Sequence, residues 1–180
     1  MEEARRRRRW RLVVGVFAVS AAALAAWWFS PGQQQARRNA ALFAAAGSGD
    51  TNAAKAAIEA VADVNARDGH GMTPLMVAAK GERPNERSPD VTDRPDVVRL
   101  LLERGADVNA TTDEGFSALF WAVRYGHGEV AKVLIEKGAD ANAKDKGGAT
   151  LLMWAHTNRS VSPPHYDRVI GLLKEAGAKE

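Results

Sequence analysis

The sequence contains no cysteine. Disulfide staples, zinc sites built on thiolates and lipid attachment through cysteine are therefore excluded, while either redox compartment stays open. Signatures of catalysis are missing as well. There is neither a G-x-S-x-G nucleophile elbow nor a G-x-x-x-x-G-K-[ST] phosphate loop. Gly47-Ser48-Gly49-Asp50 is glycine-rich, but it follows a helical pattern rather than a strand, which is the wrong setting for a phosphate cradle. Of the four histidines, His70 and His127 sit in turns, His156 follows a helical pattern and His165 lies in a proline-rich stretch; none has a second ligand three or four residues away. No catalytic residue, cofactor or metal is expected, and the chain reads as a non-enzyme. Excess charge is also absent from most of the chain. The first eleven residues hold six arginines and two glutamates of the chain's 25 basic and 22 acidic side chains, which leaves 19 and 20 in the remainder. The basic isoelectric point near 9.4 is thus a property of the N-terminus and no argument for nucleic-acid binding.

What is present begins with Arg5 to Arg9 and the 18 uncharged residues Leu12 to Phe29. As a helix rising about 1.5 Å per residue this run is about 27 Å long, close to the roughly 30 Å hydrocarbon core of a bilayer. Trp10 at one end and Trp27-Trp28 at the other suit the two membrane interfaces, and the arginines are expected to stay cytoplasmic, sending the body across. The expected organisation is a cytoplasmic segment at 1–11, a transmembrane anchor at 12–29, a linker at 30–38 and a body at 39–180. A cleavable secretory signal is the alternative, with Ala23 and Ala25 at cleavage spacing, although Trp27, Trp28 and Phe29 extend the apolar run past that point. Either way the body is expected outside the cytoplasm. Ser30 to Arg38 reads as a polar linker, with Pro31 and Gly32 stopping the membrane helix.

The body repeats itself. KGADANA at Lys137 to Ala143 recurs as RGADVNA at Arg104 to Ala110 and as VADVNA at Val61 to Ala66. Recurrence at about 20 to 50 residues points to stacked repeats rather than a closed globule. Ser117 to Ala143 is the clearest unit. Leu119, Ala122 and Val123 share one helical face and Val130, Val133 and Leu134 another, with Gly126-His127-Gly128 between them. Gly138 ends the second helix, and Thr112-Asp113-Glu114-Gly115 ahead of the unit is turn chemistry. Small residues such as Ala78-Ala79, Ala122 and Ala155 permit close stacking of first helices, Leu100 to Leu102 fill the space behind, and Asp107 and Asp140 suit the turn amides beside Asn109 and Asn142.

These residues resemble ankyrin repeats. Gly71-Met72-Thr73-Pro74-Leu75-Met76-Val77-Ala78-Ala79 matches the first helix, with Met76 in place of the usual histidine, and Val97 to Ala110 matches the second helix and exit. In the third unit Ser117-Ala118-Leu119-Phe120 replaces T-P-L-H. The resemblance implies an all-α solenoid of four helix-turn-helix repeats with short hairpin turns, at about 39–66, 67–110, 111–143 and 144–180, preceded by one transmembrane helix. Its first repeat is alanine-rich, as suits a cap with one neighbour. Two insertions, Gly81 to Pro95 and around Arg159 to Tyr166, fall at the same point of the unit and read as loops on one edge, either tolerated surface loops or two arms of a binding edge.

The resemblance further implies a protein partner, bound by hairpin tips and the exposed side of the first helices. The tips are His70 and Met72, then Asp113, Glu114 and Phe116, then Lys146. On the helices, Trp121, Arg124 and Tyr125 share one face at i, i+3, i+4, next to Lys80 on one side and Trp154 on the other. Tryptophan, tyrosine and arginine are enriched in interface hot spots. The expected function is a protein-interaction module anchored in the inner membrane that scaffolds or stabilises a periplasmic partner, with no nucleic acid and no small-molecule substrate. An immunity protein against an envelope-targeted toxin is one alternative. An assembly subunit using the Gly15, Ala18, Ala22 and Ala26 stripe for helix contact is another.

Overall fold

The computed structural model describes residues 30–81, 93–159 and 163–179. The expected anchor at Leu12 to Phe29 and its arginine cluster lie outside the described residues, as do 82–92 of the first insertion and 160–162 of the second. Among the described residues no helix is long and apolar enough to cross a membrane. Eight helices follow one another: α1 (Pro31–Ser48), α2 (Thr51–Glu59), α3 (Pro74–Lys80), α4 (Pro95–Glu103), α5 (Ala118–Tyr125), α6 (Gly128–Glu136), α7 (Leu151–Asn158) and α8 (Pro163–Glu175). From Arg38, within α1, to Glu180 the chain is one compact unit. First helices α3, α5 and α7 stack in one layer and second helices α2, α4, α6 and α8 in another. Isolated bridges between Thr111 and Ser117 and between Lys144 and Thr150 close two of the hairpins.

A shared start explains why the first helices are alike. The hydroxyls of Thr73, Ser117 and Thr150 accept the backbone N–H three residues on, from Met76, Phe120 and Met153, at 3.4, 3.2 and 3.3 Å. Such caps satisfy a donor that the first helical turn leaves open. Serine therefore serves where threonine is usual. At the second unit the Met76 sulfur accepts the N–H of Thr73 at 3.4 Å, closing a capping box without histidine. Within the first helices Leu42, Leu75, Leu119 and Leu152 are all buried, and Ala45, Ala78, Ala122 and Ala155, buried too, follow three residues later. Valines and leucines of the second layer, Val97, Val98 and Leu101, then Val130, Val133 and Leu134, complete one continuous core.

Neighbouring units are tied by a ladder of asparagine amides. Asn65 donates Nδ2–H to the Gly105 carbonyl at 3.0 Å and accepts the Asp107 N–H at 2.8 Å. Asn109 does the same to Gly138 and Asp140 at 3.1 and 3.0 Å, and Asn142 to Gly177 and Lys179 at 3.3 and 2.9 Å. Asn39 of α1 starts the series by accepting the Asp63 N–H at 2.9 Å. The aspartates two residues before these asparagines, Asp63, Asp107 and Asp140, accept the asparagine's own backbone N–H, which holds each exit turn in shape. Gly105, Gly138 and Gly177 end the second helices α4, α6 and α8 with φ of 88°, 89° and 80°, whereas α2 has Val61 there at φ 65°. A β-branched residue in that left-handed region costs about 1–2 kcal/mol.

Two expectations about irregular segments are corrected. Ser30 to Arg38, expected as a polar linker, is helical: Ser30 accepts the Gln33 N–H at 3.4 Å and α1 runs from Pro31. Likewise Pro163 to Tyr166 is not loop but the first turn of α8, which makes that helix 13 residues long. Both corrections have one physical reason. Proline in a first turn has no N–H to lose and a φ already set for the helix, so it opens helices as readily as it stops them. Pro95 opens α4 in the same way.

Asn109→Ala removes both amide contacts between the second and third units. Urea unfolding followed by far-UV circular dichroism is expected to show a loss of about 1–3 kcal/mol, while Asn52→Ala, on the exposed face of α2, should stay within about 0.5 kcal/mol.

Candidate functional site

Helix α5 is two turns long, and its buried stripe of Leu119, Ala122 and Val123 turns Trp121, Arg124 and Tyr125 to the opposite side, each half-buried. Around Trp121 the aromatic rings form a continuous run. The indole lies parallel to Tyr125 at 6.1 Å and meets Phe116 and Phe120 edge-on at 5.7 and 5.5 Å. Phe116 and Phe120 stack at 4.0 Å, and Phe120 meets Trp154 of α7 edge-on at 5.4 Å. Buried Phe120 is therefore the link between the two tryptophans, a role that reading it only as a departure from the repeat pattern misses. Two cations complete the cluster. The Lys80 Nζ stands 5.5 Å from the Trp121 ring centre, and the Arg124 guanidinium lies 6.0 Å from Trp121 and 5.3 Å from Trp154. All three distances are within reach of a cation–π attraction.

The backbones that carry these cations are pinned by the following unit. Lys80 is the last residue of α3, and its carbonyl contacts His127 Nε2 at 3.1 Å. At the equivalent place in α5, the Arg124 carbonyl accepts the Tyr166 hydroxyl at 2.7 Å. His127 is buried, and its Nδ1 meets Asp93 Oδ1 at 2.9 Å. Each ring nitrogen thus faces an oxygen, the Asp93 carboxylate on one side and the Lys80 carbonyl on the other. Asp93 uses its other oxygen to accept the Glu129 N–H at 2.8 Å, and Arg94 donates to the Gly47 carbonyl at 2.9 Å. The exit of the first insertion is thereby fastened to the third unit and to the first.

The two tryptophans differ in how their N–H groups are met. Trp154 Nε1 donates to Asp145 Oδ2 at 3.0 Å. Thr112 occupies the place of Asp145 one unit earlier, and its hydroxyl accepts the Phe116 N–H instead. Trp121 Nε1 is buried and has no hydrogen-bond partner among the described residues. Leaving such a donor unmet costs about 1–3 kcal/mol.

The hairpin tips divide into two kinds of residue. His70, Asp113, Glu114 and Lys146 are exposed, whereas Met72 and Phe116 are half-buried and pack on the core. Backbone groups join one tip to the next, the Lys146 N–H donating to the Glu114 carbonyl at 3.0 Å. A Cβ on Gly115, at φ 86°, would come within 3.3 Å of the Lys146 nitrogen, so this contact requires glycine. Of the residues singled out in the sequence, the structure gathers Lys80, Phe116, Trp121, Arg124, Tyr125 and Trp154. His70, Asp113, Glu114 and Lys146 have no side-chain contact to that cluster among the described residues. Nor do the described residues bring together three or more histidine, aspartate or glutamate side chains in a metal-binding arrangement.

A family model for ankyrin repeats in three copies matches residues 18–112 and 90–179.

The Trp154 N–H, and after it the Ala149 N–H, hold the Asp145 carboxyl below its ordinary value. A lowered folded-state value means that the stabilisation is present above the unfolded-state value and disappears as pH falls through the folded one. Trp154→Phe removes the largest cause. Thermal midpoints of the two proteins are expected to differ at neutral pH and to converge in acid below the ordinary aspartate range; a gap that persists there rules out this contact as its source.

Proposed function

The chain belongs to the ankyrin-repeat family, and from that premise we propose that it is a protein-interaction module, exported and anchored to the inner membrane, which holds a periplasmic partner on the exposed side of its first helices. The observation that carries the docking face is the cluster spanning three successive units, with Lys80 from α3, Trp121, Arg124 and Tyr125 from α5 and Trp154 from α7. Half-buried aromatic rings held in place by their neighbours offer a partner large contact area at little entropic cost. The tips His70, Asp113, Glu114 and Lys146 form the polar rim of the same face. Export and anchoring rest on the sequence, namely Arg5 to Arg9 before the uncharged run Leu12 to Phe29.

Affinity purification from membranes tests the docking face. The partner recovered with the full chain is expected to be lost with Trp121→Ala/Tyr125→Ala, while the circular dichroism spectrum of that variant stays helical; recovery at the unaltered level removes Trp121 from the interface. Localisation is checked separately with a C-terminal alkaline phosphatase fusion. Phosphatase activity that fractionates with the inner membrane is expected, and an inactive fusion retained in the cytosol sinks the exported reading.

A further inference from the structure

We propose that the segment docked on this face is acidic, and that a carboxylate of the partner sits between Lys80 and Arg124 above the Trp121 ring. The inference rests on the docking face described above and adds the chemistry of its occupant. Lys80 and Arg124 converge on one indole from two different units, at 5.5 and 6.0 Å from its centre. Neither takes part in an ion pair among the described residues, where the pairs are His127 with Asp93, Lys132 with Glu136, Arg159 with Asp167 and Arg168 with Glu129. Two cations drawn to one ring leave their charge unbalanced by any carboxylate among the described residues, and an anion that reaches both gains two attractions.

The carboxylates nearest the cluster are already engaged. Asp93 serves His127 and the Glu129 N–H, and Asp145 serves Trp154 and the Ala149 N–H. The protein therefore supplies two cations and keeps its own neighbouring acids turned to other donors. Their supports are fixed as well, because the carbonyls of Lys80 and Arg124 are held by His127 and Tyr166 of the following units. An incoming carboxylate thus meets donors whose backbone is already placed, and bonds between ionised partners are the stronger kind. Exposed Asp113 and Glu114 on the hairpin tip repel an acidic chain from the opposite rim. The acidic residues of the occupant consequently run along the C-terminal ends of α3 and α5, and apolar residues between them cover Trp121, Tyr125 and Trp154.

Fluorescence anisotropy on the full chain in detergent tests this with three labelled peptides of equal length, which alternate leucine with glutamate, glutamine or lysine. The glutamate peptide is expected to bind at least about tenfold more tightly than the other two, and more weakly as salt rises and the screening length shortens. Lys80→Gln/Arg124→Gln should abolish the preference at an unchanged thermal midpoint, and Lys132→Gln on α6 should leave it intact. Equal affinity for the glutamate and glutamine peptides, or a preference that survives the double variant, overturns the proposal. So does transfer of the same two-cation dependence to phosphatidylglycerol vesicles or to self-association, which would make lipid or a second copy the occupant. A membrane partner lost with Trp121→Ala/Tyr125→Ala but retained with Lys80→Gln/Arg124→Gln would keep the docking face and remove only its preference for acid.

Discussion

One asparagine amide at each exit turn fixes how the units of this protein sit on one another. Asn65, Asn109 and Asn142 each reach the following unit with both ends of the side chain, giving a proton to a glycine carbonyl and taking one from the amide two residues beyond it. Two bonds from one planar group define a direction as well as a distance, which hydrophobic packing alone does not. Because the second helices end in register, the first helices begin in register, each under a threonine or serine cap. Equivalent positions then line up in rows across the stack. Val77, Trp121 and Trp154 form one such row and Lys80, Arg124 and Thr157 another, so the aromatic and cationic cluster exists because the exit turns repeat accurately.

Much of this was legible in the sequence, and what was not has a common cause. The buried stripes at Leu119, Ala122, Val123 and at Val130, Val133, Leu134 follow from helical period, and the shared face of Trp121, Arg124 and Tyr125 follows from the same spacing. Contacts between units were not legible. The amide partners of Asn65 lie 40 and 42 residues away, and no local pattern announces them. The same holds for Asp93, which reads as part of a charged, proline-rich insertion until the fold sets it against His127. Prolines misled, since Pro31 was read as part of a linker and Pro163 as part of an inserted loop where both open helices. At the tips, Met72 and Phe116 looked equivalent to their exposed neighbours because turn residues carry no strict inside–outside alternation.

The aromatic and cationic cluster departs from regularity where its units differ. Asp145 meets the N–H of Trp154, whereas Thr112 leaves that of Trp121 unmet. Phe120 stands where the preceding unit has a fully buried methionine, Met76, and it bridges the two tryptophans into one aromatic sheet of side chains. Local rules are broken at the centre of the cluster and kept at its margins. Departures of this kind from local rules are the ones that packing of the stack alone does not require.

Arg94 and Asp93 add something that stacking by itself lacks. In a stack of repeats each unit touches only its neighbours, so stability accumulates step by step and units can unravel from the ends. Here the residues leaving the first insertion reach backward to the Gly47 carbonyl and forward to His127 and the Glu129 amide. Opening either interface of the second unit also breaks a clasp that serves the other. One short segment thus couples the first three units through contacts that simple stacking does not supply, and the fourth unit lies outside that clasp.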